Sequence, residues 1–527
     1  MNRLLLGLCL IHTLFALGQE VDVEILEGKF QEDSIINTSL LFSESDGKGG
    51  LIVVRNTETV LSYNPCPSEY YIEHYDANLE LVEKVTLTND QKYHLKGLIV
   101  EGGMISLIRF DYDKESLKVD VNLVESEVDD LKFEKHLIKS FDLDYFRDHF
   151  GESARDYLVQ QFKFIGENPF GEIKFSQNKE FFAISFNHIE RNGGNYHFEV
   201  FNKNFDFRYN FTHPIEDKYS DSEGFEIRDT GGEIYFLQKN YLNESRKAEK
   251  NDKVNYSYEI FRYDNLGLTK FKIENSNNFI THPSLVFLSN ELGLVGFYSN
   301  KGVDYLDGVC FFKIDLENST LLKESYMPLS NQFFTDKHQN GKEERLKRIR
   351  NPEIRDLFVD RDDNITLSAE EFTIEDTALS NDMNIYERSH MTFTKMKNKH
   401  HFDDIISIKM NTDGSLIWSR SVDKKQIGIK KSSFATAHGN NKTCYFINGT
   451  AKEMRGERIQ FRQTGLSKSN LYLITVNDKE IRYQKLINEE KSKIWYDVMK
   501  GSNIQKENTI ILQGVKGREK QVIKVSL

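Results

Sequence analysis

A pattern of paired β-runs recurs along the whole chain of 527 residues. Each copy is a run of alternating apolar and polar residues, an Asp or Asn turn, and a second alternating run. Clear copies are YYIEHYDANLELVEK from Tyr70, YHFEVFNKNFDFRYNF from Tyr196 and IISIKMNTDGSLIWSRSV from Ile405. Another hairpin precedes each copy, so one unit holds four antiparallel strands, here called A to D in chain order. Such units predict an all-β chain that folds as a single β-propeller, with one unit in each blade.

The copies also predict the number of blades and the closure of the ring. Seven complete units fit between about Leu40 and Ile487, and an eighth, from Trp495 to Leu527, has only three strands. The run Val21–Glu27 is expected to supply the missing outer strand, because a closed ring leaves fewer exposed sheet edges. We therefore expect eight blades, with seven as the alternative. One helix, with Asp142 as its N-cap, is expected over 142–162 between the second and third units.

The N-terminus has the features of a secretory signal peptide. An apolar run from Leu4 to Leu17 follows Arg3 and ends beside Gly18, and it is short for a transmembrane helix. Cleavage after Gly18 would leave residues 19–527 as one exported domain without a membrane span. Whether that domain stays in the periplasm, on the cell surface or in the medium is left open.

Charge and cysteine content exclude two classes of protein. The formal net charge is -13, and it becomes -14 when Arg3 is lost, which argues against a nucleic-acid partner. Of the four cysteines, Cys9 lies in the signal peptide, and Cys66, Cys310 and Cys444 are odd in number and far apart. This pattern excludes a scaffold that depends on disulfides.

The sixth unit carries a resemblance to a known group. The segment DDIISIKMNTDGSLIWSRSV, Asp403 to Val422, and the neighbouring runs FVDRDDNITLSAEEF and TCYFINGT resemble the repeats of uncharacterised bacterial secreted β-propellers. The resemblance covers roughly residues 350–490 and implies the fold and export, but no activity. At the turn of this segment, Gly414 is expected to adopt a positive φ.

Two motifs suggest metals, but each has a simpler interpretation. The segment from Asp360 to Glu371 places oxygen ligands as in a calcium loop, yet Ile365 stands where that loop needs glycine. It also aligns with the A-to-B turns of the other units, so a hairpin turn is expected. The group His400, His401, Asp403 and Asp404 matches no defined ligand spacing. We therefore expect neither a metal nor a cofactor.

Most of the long insertions should crowd one face of the propeller. In a four-stranded antiparallel blade the B-to-C and D-to-A connections lie on one face, and the A-to-B and C-to-D turns lie on the other. The insertions fall in the first group, at 139–170, 238–255, 330–350, 373–403 and 451–469. Long loops on one side of a rigid scaffold commonly carry binding or catalytic residues.

Three of these insertions are basic although the chain is acidic. Six basic residues stand against three acidic ones in 330–350, five against two in 451–469, and five against three in 238–255. We call these side chains the basic rim and expect them to bind an anionic group. The ligand-binding candidates are Lys342, Arg345, Lys347, Arg348, Arg350, Arg455, Arg458, Arg462, Lys247 and Lys250.

These features predict an exported, non-catalytic propeller that binds a partner through its loop-rich face. An acidic polysaccharide and another envelope or extracellular protein are the two expected kinds of partner. The alternative is a polysaccharide-active enzyme, a glycoside hydrolase or lyase, with its site at the mouth of the channel. The sequence contains no motif that identifies catalytic residues, so enzyme activity is the less favoured interpretation.

Overall fold

The computed structural model describes twenty stretches of the chain. They are residues 23–33, 38–57, 67–90, 92–163, 170–190, 193–215, 218–250, 253–273, 278–300, 302, 306–337, 349, 351–375, 399–428, 433–439, 442–453, 459–462, 469–488, 493–504 and 508–527. The expected signal peptide and Cys66 lie outside these ranges. No helix within them is both long and apolar enough to cross a lipid bilayer.

The described chain begins with two short strands, β1 Glu24–Glu27 and β2 Gln31–Glu32. Three complete four-stranded antiparallel blades follow. Blade 1 contains β3 Thr38–Ser45, β4 Leu51–Thr57, β5 Glu69–Tyr75 and β6 Leu81–Thr88; blade 2 contains β7 Tyr93–Glu101, β8 Met104–Asp113, β9 Lys118–Glu127 and β10 Glu134–Phe141; blade 3 contains β11 Glu172–Phe175, β12 Phe181–Glu190, β13 Gly193–Asn202 and β14 Phe207–Ile215.

Blades 4 and 5 continue the pattern, and a small hairpin, β17 Glu249–Lys250 with β18 Lys253–Val254, interrupts blade 4. Blade 4 contains β15 Ser220–Ile227, β16 Ile234–Tyr241, β19 Tyr256–Asp264 and β20 Gly267–Ile273; blade 5 contains β21 Phe279–Phe287, β22 Glu291–Ser299, β23 Gly308–Asp315 and β24 Thr320–Pro328.

Blades 6 and 7 are joined into one sheet by two extra strands, β29 Lys424–Gly428 and β32 Ile459–Arg462. Strand β29 pairs with an extension of blade 6 and lies parallel to β32, which pairs with an extension of blade 7. Blade 6 contains β25 Pro352–Val359, β26 Ile365–Glu375, β27 Lys399–Met410 and β28 Leu416–Val422; blade 7 contains β30 Ala435–Gly439, β31 Lys442–Glu453, β33 Asn470–Val476 and β34 Ile481–Ile487.

The eighth blade joins the two ends of the described chain. Its inner part is β35 Trp495–Tyr496 and β36 Ser502–Ile504, followed by β37 Thr509–Lys516 and β38 Glu519–Ser526. Strand β1 pairs antiparallel with β38 as the outer strand, with Glu24 opposite Ser526. The expected all-β propeller is therefore confirmed, and the sheets give eight blades closed by strands from both ends.

Apolar layers between neighbouring blades hold the ring together. Phe182 and Phe186 of blade 3, for example, pack with Ile108 and Phe110 of blade 2 in one buried cluster. Each strand of a blade presents alternate side chains to the two neighbouring blades. Because both faces of a blade are buried, apolar and polar residues alternate less strictly along its strands than in a sheet with one solvated face.

Tight hairpin turns occupy the face of the A-to-B and C-to-D connections. The Asp360 carboxylate accepts hydrogen bonds from the backbone N–H groups of Asp362 (3.0 Å) and Asn364 (2.9 Å). The segment is thus the expected hairpin turn, with its aspartate used to close the turn. In the same way Gly414 has φ +73°, as predicted for its turn.

The expected helix over 142–162 is two helices, α1 Leu143–Phe150 and α2 Ala154–Lys163. Asp142 is the N-cap, as predicted, because its Oδ1 accepts a hydrogen bond from the N–H of Tyr145 at 2.9 Å. The single helix was wrong because Gly151, at φ 84° and ψ -173°, has a backbone conformation that ends α1. A third helix, α3 Asn331–Lys337, follows blade 5.

Candidate functional site

The innermost strands of the blades surround a central channel. Strand β3 lies against both β7 and β36, and β21 lies against both β15 and β25. Each of these strands pairs within its own blade on one side only, so its other edge faces the channel. The channel is therefore lined by a ring of strand edges.

A β-bulge occurs at the same place in five innermost strands. The register of β3, β7, β15, β21 and β25 slips by at least one residue after the third position. A bulge turns an unpaired side chain away from the regular alternation. The fourth residues of these strands form a set that we call the inner ring: Leu41, Lys96, Glu223, His282 and Arg355.

The inner ring faces water although its strands are innermost. Glu223, His282 and Arg355 are exposed, and a Cβ added at Gly224 would have no atom within 4 Å. The channel is thus open at this level. Because the A strands begin on the face of the D-to-A connections, the inner ring lies near the loop-rich mouth.

The surrounding protein shifts the pKa values of three inner-ring groups. Burial lowers the pKa of Lys96 to about 8, against the attraction of Glu172. Burial also raises the pKa of the Glu223 carboxyl, although Lys239 opposes the change, and it lowers the pKa of His282. Water reaches these groups, yet enough protein surrounds them to disfavour their charged forms. Groups of this kind are concentrated at functional sites.

Charged and aromatic side chains surround the inner ring in blades 4 and 6. The Lys239 ammonium lies 4.1 Å from the ring centroid of Tyr256. Arg355 forms an ion pair with Glu353 at 3.0 Å and lies over the ring of Phe372 at 5.2 Å. The mouth therefore offers both signs of charge beside the partly exposed ring of Phe372, whereas the ring of Tyr256 is buried.

A second polar cluster lies between blades 2 and 3, beneath α1. The Tyr145 hydroxyl contacts His197 Nε2 and Glu199 Oε1, and Lys139 pairs with Glu199 at 2.6 Å. His197 Nδ1 lies 2.9 Å from the Thr212 hydroxyl, which gives the order hydroxyl, imidazole, carboxylate. His197 and Glu199 are fully buried, so a substrate could not reach the base. The cluster anchors α1 to blade 3.

The structure describes only three of the ten ligand-binding candidates of the basic rim. Arg462 is exposed on β32, Lys247 is exposed in the loop before β17, and the backbone of Lys250 pairs with Lys253 in the small hairpin. The other candidates, Lys342, Arg345, Lys347, Arg348, Arg350, Arg455 and Arg458, lie outside the described residues. Binding by the basic rim stays a prediction.

The histidine and aspartate group near residue 400 lies within β27 instead of in a loop before a strand. Asp404 is buried and accepts a hydrogen bond from Lys337 Nζ at 2.6 Å. His400 pairs across the sheet with Ile374 and Gly428. Within the described ranges no group of three or more His, Cys, Asp or Glu residues is arranged to hold a metal ion.

Sequence reasoning missed the inner ring, although the sequence carries a signal for it. In β7, Tyr93, Leu95 and Leu98 pack in one buried apolar cluster, so the spacing of two between its members becomes three across Lys96. A polar residue at such a slip indicates a bulge. One such slip is a weak signal in a sequence. The bulge becomes a specific feature only when the same slip is seen at the same position in five blades.

The sequence matches no protein-family model and no curated protein. The fold is similar to an acylaminoacyl peptidase in complex with Z-Gly-Gly-Phe-chloromethyl ketone (TM-score 0.36, 8% identity, 91% of this chain and 57% of that chain). It is also similar to the β-propeller domain of the Trilobed protease from Pyrococcus furiosus (TM-score 0.35, 9% identity, 86% and 97%). A third similar structure is prolyl oligopeptidase B from Galerina marginata (TM-score 0.39, 7% identity, 91% and 55%). This chain spans about half the length of the acylaminoacyl peptidase and of prolyl oligopeptidase B.

These structures correct the expected function. All three belong to peptidases, so they give no support to the expected non-catalytic propeller for an acidic polysaccharide or an envelope protein, or to its polysaccharide-active alternative, and we do not propose either. At identities of 7–9% the likeness is one of fold, and it assigns no activity to this chain. What the channel can bind must be argued from its own residues.

Proposed function

We propose that the protein binds an extended polypeptide segment at the loop-rich mouth of its channel. The inner ring is the observation that carries this proposal, because it presents cationic, anionic, imidazole and apolar side chains at one level. A polypeptide is the common polymer that carries groups complementary to all four. A ligand of one charge sign would be repelled by part of the ring.

The backbone of the channel supports the same ligand class. The free edges of the innermost strands offer N–H and C=O groups, and extended peptides use such edges for main-chain hydrogen bonds. Phe372, which is partly exposed, adds aromatic surface beside the charges. Main-chain pairing would supply affinity, and Glu223 and Arg355 would select the side chains of the segment.

The test is a binding measurement by fluorescence anisotropy on the purified chain. Three labelled, unstructured peptides of equal length serve as probes: one with lysine and glutamate mixed, one with lysine only, and one with glutamate only. We expect the mixed peptide to bind most tightly. Replacing Glu223→Gln removes one charge-assisted contact worth about 1.5–3 kcal/mol, so affinity should fall roughly tenfold or more.

Glu317→Gln is the matched control, because it makes the same change of charge at an exposed residue in the turn between β23 and β24 on the tight-turn face. It should leave peptide affinity unchanged. Equal loss of affinity in Glu317→Gln and Glu223→Gln would attribute binding to general surface charge and contradict the proposal. Mass spectrometry of the same mixtures reports whether a bound peptide is also cut.

A further inference from the structure

Most outer strands of the blades protect their free edges with bulges; the exceptions are β20 of blade 4 and the four-residue strand β1 of blade 8, which pair without a slip in register. In blades 1, 2, 3, 5, 6 and 7 the D strand slips in register by one residue. Bulges of this kind twist an edge and keep other strands from pairing with it. Strand β20 of blade 4 pairs without a slip from Asp264–Gly267 to Tyr258–Ile273.

The turn before β20 explains this regular edge. Only Asn265 and Leu266 separate the paired residues Asp264 and Gly267. The Asp264 carboxylate accepts hydrogen bonds from the N–H groups of Leu266 (2.7 Å) and Gly267 (3.1 Å). In blade 5, by contrast, four residues separate Asp315 from Thr320, and Leu322 is bulged. A two-residue turn passes directly into a regular ladder.

The free edge of β20 is exposed and apolar at its start. Leu266 is 91% exposed and Leu268 is 55% exposed. Because hydrogen-bonded and non-bonded pairs alternate from the closing pair of a two-residue hairpin, the N–H groups of Leu268, Lys270 and Lys272 point outward. Within the described residues, no strand pairs with this side of β20.

The charges on this edge favour one kind of occupant. Lys270 and Lys272 project from the same face of β20 as Leu268, since they stand at alternate positions. Lys272 lies opposite Glu259 of β19, whereas Lys270 lies opposite Phe261. If two copies paired symmetrically through β20 about Lys270, the two Lys270 side chains would face each other and repel. An acidic strand would instead complement the lysine.

We propose that the outer edge of β20 binds an extended acidic peptide segment, which adds a fifth strand to blade 4. Main-chain hydrogen bonds would hold the segment, its carboxylates would pair with Lys270, and an apolar residue would cover Leu268. This site is on the outer wall, so it is separate from the inner ring.

The probe is a labelled peptide in which threonine and glutamate alternate, compared with the same peptide N-methylated at alternate residues. The unmodified peptide should bind the full chain, and the N-methylated form should not, because it cannot complete the ladder. Lys270→Glu should weaken binding roughly tenfold or more by charge reversal. Lys270→Pro should abolish it, because the outward N–H is lost at a position that an edge strand tolerates.

Lys323→Glu on the bulged strand β24 is the matched control and should leave binding unchanged. Equal binding of the N-methylated peptide, or equal weakening by Lys323→Glu, would overturn the proposal in favour of diffuse electrostatic attraction. Self-association that is lost in Lys270→Pro would overturn it in favour of a second copy of this chain. The Glu223→Gln variant should bind this probe normally, which separates the edge site from the channel.

Discussion

Lys96 shows how one residue in the channel can be tested through its charge. Burial lowers its pKa from 10.5 to about 8 in the folded protein, whereas the unfolded chain keeps the ordinary value. Between these two values the unfolded state binds more protons, so the free energy of unfolding should increase as pH rises from about 8 to about 10.5. The gain should be on the order of 1–2 kcal/mol, because Lys96 is only partly buried.

Urea unfolding of the wild type and of Lys96→Met at both ends of this pH range measures the effect. The difference in stability between them should shrink or reverse as pH rises, because the variant has no proton to release. Lys114→Met, at an exposed lysine in the turn between β8 and β9, should give a difference that does not change with pH. A constant difference for Lys96→Met as well would place Lys96 in a fully hydrated position.

The α1 helix shows which parts of an element its sequence determines. Asp142 before an amphipathic run predicts the start of the helix correctly, because the capping hydrogen bond is local. Asp142→Ala should therefore cost about 1 kcal/mol of stability, measured by urea unfolding, with faster amide exchange confined to α1. Asp144→Ala changes an exposed residue two positions later, within the first turn of the helix, and should have a smaller effect. Equal effects would mean that tertiary packing, and not the cap, holds the first turn.

The strand patterns in the sequence likewise predict features that depend on a short run of residues, and they miss features that depend on a neighbouring strand. The hairpins, the turns at Asp360 and Gly414 and the closing strand could be predicted, since each depends on a short run of residues. The inner ring could not, because a bulge is a one-residue change of register that depends on the neighbouring strand. The end of α1 at Gly151 was missed because the apolar pattern continues across the break.

At the scale of the whole molecule, a buried ion cluster connects the closing segment to blade 1. Asp33, just after β2, accepts hydrogen bonds from Arg55 of β4, with Nη2 to Oδ1 at 2.8 Å, and Glu73 of β5 accepts another from Arg55 Nε at 3.0 Å. All three side chains are at most 2% exposed. The cluster therefore fastens the N-terminal strands, which complete the eighth blade, to the first blade.

Arg55→Met should leave the buried carboxylates of Asp33 and Glu73 with only Lys84, which lies 3.2 Å from each, as a cation, and cost about 3–5 kcal/mol of stability. Arg55 holds the pKa of Asp33 below its usual value, so the wild-type contribution is present near neutral pH and is lost as pH falls through the lowered pKa. The deficit of the variant should consequently be largest near neutral pH and smaller in acid, where the carboxylates can be protonated. Urea unfolding at a series of pH values measures this.

Lys29→Met is the control: it removes the exposed Lys29–Glu80 ion pair in the same region and should change stability by less than about 1 kcal/mol. If both variants were equally stable, the ring would be closed by the β1–β38 ladder alone, without help from the ion cluster.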